Sequence, residues 1–238
     1  YRARLAEAQR LNDQLRKQGV GKVVAYVCLM TTGGDPDKRT GFWHFYDNWE
    51  AFTPLGAGPK TADDPVLWQQ RRPDGSEHHY YTKGHYLPLF YRYSNCVNNP
   101  CWQQYMRWVI RGAAEARFDG VFVDNASSEH CYCQYCRTGF EQHLRSRYTP
   151  GEIRELFGDD LSLATDGKGL RGAESAIFWG ESIHRFLGMI REEGSKVRGS
   201  FFVFPNALQG RPLNLEGMVR DCDLGMYENS VGTYGTNP

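Results

Sequence analysis

Nowhere in its 238 residues does the chain carry an apolar run approaching 18 residues, which argues against a membrane-spanning helix. It also lacks an excess of either charge. Its 28 basic and 28 acidic side chains give a formal net charge of zero, so no long-range field gathers a nucleic-acid backbone or an anionic lipid surface. Neither nucleic acid nor membrane is expected as a partner. Repeats, low-complexity tracts and a Pro/Gly-rich linker are missing as well, and the expected organisation is a single domain over 1–238. Tyr1 to Lys17 reads as an Arg- and Gln-rich helix rather than the charged tip and apolar stretch of a signal peptide. Because the sequence opens without Met and inside that helical pattern, localisation stays open, cytoplasmic or exported.

What is present is an alternation. Leu5, Ala8, Leu11 and Leu15 recur at helical spacing over Arg2–Gln18, and Gly19 to Gly21 ends the pattern. Lys22 to Met30, KVVAYVCLM, is an almost unbroken apolar run that predicts a strand buried on both faces. Three further helix-then-strand pairs follow: Asn99–Arg117 into Gly120–Asp124, Ala173–Glu193 into Ser200–Asn206, and a short helix near Asn214–Arg220 into Asp223–Asn229. This succession predicts an α/β fold with a parallel sheet. An open nucleotide-binding sheet would show a Gly-rich phosphate turn after its first strand, but Thr31 to Pro36, TTGGDP, matches neither common form. Polar and acidic residues at strand ends favour a (β/α)₈ TIM-type barrel, whose active sites form at that edge. Only four strands are legible, so an incomplete portion of a barrel is expected. The connection over about 31–93 is an aromatic-rich insertion, far longer than an ordinary loop.

Seven cysteines make an odd number in a chain large enough to fold without staples, which weakens a disulfide framework. Cys131, Cys133 and Cys136 form C-x-C-x-x-C in a loop (about 126–137) opening a helix, a spacing at which thiolates can wrap one Zn²⁺ in a structural site. Cys96 or Cys101 would supply the fourth ligand, with His130 behind them. Asp124 ends its strand as an acid at the edge where barrel active sites form, though a turn cap or an arginine partner suits it equally. Glu228 ends another strand, and Glu129 and Asp47 are its rivals for a second carboxyl. Asn125, Asn206 and Asn229 carry amides able to bond sugar hydroxyls. In the insertion, GFWHFYDNW offers rings for a pyranose face. Trp43, His44 and Trp49 are expected to face the cleft, while the other aromatics pack and Arg39 holds a substrate carboxylate.

VFVDN followed by CYCQYC, then Phe140, Leu144 and Arg147-Tyr148, resembles the hypothetical glycosyl hydrolase families of (β/α)₈ barrels and the matching part of glycoside hydrolase family 42 β-galactosidases, over about Leu87–Gly158. The resemblance implies a structural zinc site beside the fourth barrel strand, a catalytic carboxylate at that strand's end, a carbohydrate substrate and a possible homo-oligomer. One departure matters. The β-galactosidases follow Asp-Asn with the Glu that serves as general acid, whereas Asp124-Asn125 is followed by Ala126. The pattern of the retaining α-glycosidases, with the nucleophile on strand four and the acid near strand six, instead gives Glu228 the acid role. The function expected is glycoside hydrolysis by a two-carboxylate, retaining mechanism. The alternative is a catalytically inactive carbohydrate-binding barrel. A metal-dependent hydrolase is the weakest reading, because His44, His78, His79 and His85 lie in the insertion rather than at strand ends.

Overall fold

A computed structural model describes residues 1–81, 91–126, 130–207, 222–223 and 226–227. In chain order the elements are α1 (Arg2–Lys17), β1 (Val24–Cys28), β2 (Thr31–Asp35), β3 (Thr40–Gly41), α2 (Phe42–Asp47), β4 (His79–Tyr81) and β5 (Tyr91–Ser94). There follow α3 (Pro100–Glu115), β6 (Gly120–Asp124), α4 (Gln134–Arg147), α5 (Pro150–Leu156), α6 (Gly169–Arg198), β7 (Phe202–Ala207) and β8 (Met226–Tyr227). They fall into two compact units. The first comprises Tyr1–Leu29, Ile110–Ser127 and Leu187–Pro238, the second Met30–Val109 and Ser128–Phe186.

The first unit is built on a parallel sheet in the order β1-β6-β7-β8. Val24 pairs with Gly120 and Cys28 with Asp124, while Gly120 pairs with Phe202 and Phe122 with Phe204. Spatial order follows sequence order without reversal, as in a barrel wall and unlike a doubly wound sheet with its switch point. Val121, Val123 and Val203 point to a fully buried face. The opposite face carries Tyr26, Phe122 and Phe204 in one row, with ring centroids 5.6 and 5.1 Å apart. Here the expectation for KVVAYVCLM is corrected. No residue of β1 is buried: Val24 is 38% and Tyr26 61% exposed, and Ala25, Val27 and Cys28 are half-buried, because the strand forms an edge of the sheet.

Two aspartates set the register from the amino ends of the strands. Asp119 exchanges a pair of hydrogen bonds with Val23: its N–H donates to the Val23 carbonyl at 2.7 Å and its Oδ2 accepts the Val23 N–H at 2.9 Å. Arg16 donates to the same carboxylate at 2.9 Å, and the Asp119 carbonyl accepts Phe202 N–H at 2.9 Å. Asp223 repeats the device, its Oδ2 accepting the Val203 N–H at 2.9 Å and its own N–H donating to the Val203 carbonyl at 3.0 Å. At Gly120 a Cβ would stand 2.3 Å from both Cβ and the carbonyl oxygen of Phe202, so only glycine admits this strand approach.

Helix α1 docks through polar residues. Gln9, Asn12 and Arg16 donate to the carbonyls of Glu115, Ala116 and Arg117 at 2.7, 2.8 and 2.5 Å, satisfying acceptors that the end of α3 leaves orphaned. Asn12 is the buried residue of the helix, while Leu11 and Leu15 of the apolar stripe are 45% and 37% exposed.

The second unit contains the expected long insertion, which has its own antiparallel sheet in the order β3-β2-β5-β4. Beside it Phe42, Phe45, Trp49, Trp68, Trp102, Tyr105 and Trp108 interlock, mostly edge to face, with Phe45 lying nearly flat on Trp108. Asn99 caps α3, its Oδ1 accepting the N–H of Cys101 at 2.8 Å ahead of Pro100 at the first helical position. Thr149 and Glu152 close a capping box on α5. The expected helix near Asn214–Arg220 lies outside the described residues, and of the Asp223–Asn229 strand β8 is the described part. Among the described residues no helix is long and apolar enough to cross a membrane.

Replacing Asp119 by Ala is expected to cost about 2 kcal/mol in urea unfolding, because it strands the Val23 N–H and removes a charge-assisted bond. Asp119→Asn should recover part of that loss. Equal stability of Asp119→Ala and the parent would show that Asp119 does not clamp the strands.

Candidate active site and metal centre

The first unit brings side chains together at the carboxyl edge of its sheet. Asp124, the last residue of β6, accepts Asn206 Nδ2–H at 2.9 Å on Oδ1 and Asn125 Nδ2–H at 2.9 Å on Oδ2. The phenol of Tyr26 also donates to Oδ2. The main chain anchors the same residue, since its carbonyl accepts Leu29 N–H at 2.8 Å. Asn125 lies in the left-handed region (φ 56°), which Asn tolerates better than most side chains, and this turn folds its amide back onto the preceding carboxylate. Cys28, level with Asp124 on β1, lies 3.7 Å from Asn125 Nδ2 and 3.9 Å from the Tyr26 oxygen. Partial desolvation, followed by the bond to Asp124, pushes the Tyr26 phenol well above its ordinary range, so it remains a donor.

Of the predicted site residues, Asp124, Asn125 and Asn206 thus meet, although they come from sequence positions up to 82 apart. Tyr26 and Cys28 join them unannounced by the sequence reading. The available signal was a hydroxyl-bearing ring two residues before the end of an otherwise aliphatic strand. Glu228, Asn229 and the rival Glu129 lie outside the described residues.

The second unit holds the cysteines. Cys131 and Cys133 precede α4, Cys136 sits in its first turn, and Cys96 follows β5, where its N–H donates to the Trp68 carbonyl at 2.8 Å. The four sulphurs lie within 4.8 Å of one another, and all four residues are buried. Cys96 stands 3.4 Å from Cys136 and 3.5 Å from Cys133. With Zn–S bonds of about 2.3 Å, a tetrahedral site has S···S edges of about 3.8 Å, so the donor set and its spacing fit a thiolate-bound metal. Asn98 adds an N–H 3.4 Å from Cys136 Sγ. Hydrogen bonding with Cys131 and its neighbours lowers the Cys133 thiol and raises the Cys96 and Cys136 thiols, so the cluster favours a thiolate at Cys133 with protonated thiols around it.

Two metal expectations are corrected. Cys101 is absent from the set of four; it sits at the start of α3, and burial raises its thiol. His130 instead stacks on Trp179 with centroids 3.9 Å apart, while Trp179 donates to the Cys131 carbonyl at 3.3 Å.

The insertion departs further from expectation. Trp43 and Trp49 are fully buried, their indole N–H groups bonded to Asp64 (3.0 Å) and the Gly58 carbonyl (3.1 Å). They are core residues of the second unit rather than open platforms. His44, the neighbour of Trp43 on α2, is exposed. Arg39 already holds two carboxylates, bonding Asp47 through Nε at 3.0 Å and Asp64 at 2.6 Å, and so is matched within the chain. In return the Arg39 guanidinium holds Asp47 below the usual carboxylate range, the opposite of what a general acid needs.

The structure is similar to a β-galactosidase from Bacillus circulans sp. alkalophilus, with a TM-score of 0.59 and 16% identity, covering 100% of this chain and 39% of that one. The fold is like that of part of this β-galactosidase. An α-L-fucosidase isoenzyme 2 from Paenibacillus thiaminolyticus also aligns, with a TM-score of 0.43 and 17% identity over 85% of this chain and 23% of that one. The chain therefore spans well under half the length of either enzyme. No protein-family model and no curated protein sequence matches it.

Burial separates the aromatic residues by role. Trp49→Ala should destabilise the protein by about 3–5 kcal/mol through the cavity it leaves, whereas His44→Ala should stay within about 0.5 kcal/mol. Chemical denaturation of the two variants measures this, and a neutral Trp49→Ala would return that ring to the surface.

Proposed function

We propose that the chain is part of a glycoside hydrolase in which Asp124 is the ionised carboxylate at the reacting centre, as nucleophile or as stabiliser of the oxocarbenium-like transition state. The observation that carries this reading is the carboxylate of Asp124 at the carboxyl edge of a parallel sheet, held by three donors from β1, β7 and the turn after β6. An anion accepts three such bonds readily, whereas a general acid must carry a proton. The acid is therefore a second group, and Glu228 takes that role through the resemblance to retaining α-glycosidases. Asn125 and Asn206, which give N–H groups to Asp124, border the sugar position, and Asn229 is proposed to join them. The substrate is a carbohydrate.

Zinc is proposed at Cys96, Cys131, Cys133 and Cys136 in a closed, structural role. Bound there, it would neutralise thiolates and tie the turn after β5 to the start of α4. No reacting group is drawn from it.

The test is a panel of 4-nitrophenyl glycosides. Asp124→Asn should lower turnover on the order of 10³-fold, the scale on which single electrostatic groups at a reacting centre act, with melting temperature and zinc content unchanged. Loss of folding in this variant would assign Asp124 to structure instead. A second reading, a carbohydrate-binding barrel without catalysis, is favoured by Ala126, which is buried at the position that carries the acid in the β-galactosidases. Calorimetric titration with oligosaccharides beside a reducing-end assay separates the two, since heat of binding without release of sugar selects the second.

For the metal, about one zinc per chain is expected by elemental analysis, with Cys133→Ser losing it. Chelation should lower Tm by at least about 10 °C. Protons compete for thiolates, so zinc should be released as pH falls and retained as it rises. A metal-free protein with unaltered Tm would refute the site.

A further inference from the structure

The row formed by Tyr26, Phe122 and Phe204 raises a question of residue choice. All three rings stand on one face of the sheet at the same register level, and phenylalanine meets the apolar demand at two of the three positions. The third carries a hydroxyl. Tyr26 pairs across the sheet with Phe122, not with Asp124, which lies two residues farther along β6. Two strand rises are about 6.6 Å, a span that a phenol side chain leaning along its strand covers, and the Tyr26 hydroxyl arrives on Asp124 Oδ2. Asn206 meets the other oxygen from β7, so the carboxylate is gripped from the strands on both sides.

We propose that Tyr26 is a positioning residue that fixes the plane of the Asp124 carboxylate and keeps it the anionic member of the catalytic pair. The proposal deepens the hydrolase reading and rests on it for its kinetic consequence. A carboxylate held by an O–H on one oxygen and an amide N–H on the other can rotate only by breaking a charge-assisted bond, and rotation of the attacking oxygen is the kind of misplacement that lowers rate rather than binding. The raised phenol agrees with a donor that stays protonated over the working pH range. Cys28 Sγ lies 3.9 Å from the same phenol oxygen, where its S–H can donate and leave the Tyr26 proton to Asp124.

Tyr26→Phe in the whole chain keeps the ring and deletes the hydroxyl. On the 4-nitrophenyl glycoside that the parent protein hydrolyses best, kcat should fall about 10- to 100-fold while KM stays within about twofold, with Tm and zinc content unaltered. An unchanged kcat, or a loss matched by a fall in Tm, would overturn the assignment. A second measurement does not depend on turnover. Proton NMR should show a low-field hydroxyl resonance that is missing from both Tyr26→Phe and Asp124→Asn, and spectra in which the two variants remove no common resonance would also overturn it. A shared resonance in a protein that hydrolyses no glycoside would support the grip on Asp124 while removing the hydrolase reading.

Discussion

The parallel register of β1, β6 and β7 is the constraint on which the rest of the first unit depends. In a parallel pair a slip of one residue sends every side chain to the opposite face. Asp119 guards against that slip, because its main chain and carboxylate both engage Val23 just before β1, while its carbonyl takes the N–H that opens β7. Gly120 lets the strands approach at that level. Five residues later the consequence appears: Cys28, Asp124 and Asn206 stand side by side at the carboxyl edge. The clamp at one edge and the acid at the other are two ends of the same short strand.

The second unit solves a different problem, that of burying four sulphurs together. Thiols can share protons, but several thiolates in one dry pocket need a cation, and this is the physical content of the zinc proposal. Around them Phe140, Leu144, Phe178 and Trp179 exclude water. The Arg147-Tyr148 pair, part of the stretch that resembles the glycosyl hydrolases, anchors the far end of α4: Tyr148 donates to the buried Glu174 at 2.7 Å and Arg147 lies 3.2 Å from it. His143, also buried, reaches Glu174 at 2.8 Å, so this acid is committed to structure.

Much of the architecture was readable in the chain. The strand Gly120–Asp124 and the helix around Arg2–Lys17 follow from apolar period and from glycine stops, both local properties. The C-x-C-x-x-C loop was legible for the same reason, because three of the four clustered cysteines are neighbours in sequence. The aromatic insertion was not. Trp43 and His44 are adjacent in GFWHFYDNW, yet one is enclosed and the other exposed, since successive residues on a helix point about 100° apart and composition does not say which direction is inward. Arg39 likewise read as an available cation until Asp64, 25 residues away, closed on it.

Period and short-range spacing therefore decided where helices and strands form, which cysteines cluster locally, and that an acid ends β6. They act through backbone geometry over a few residues, and that geometry travels with the chain. The choice of Cys96 over Cys101, the burial of Trp43 and Trp49, and the convergence of Tyr26 and Asn206 on Asp124 were settled by packing between segments tens of residues apart. Such contacts depend on sheet register and on the enclosure of side chains, which exist only once the segments have folded against each other.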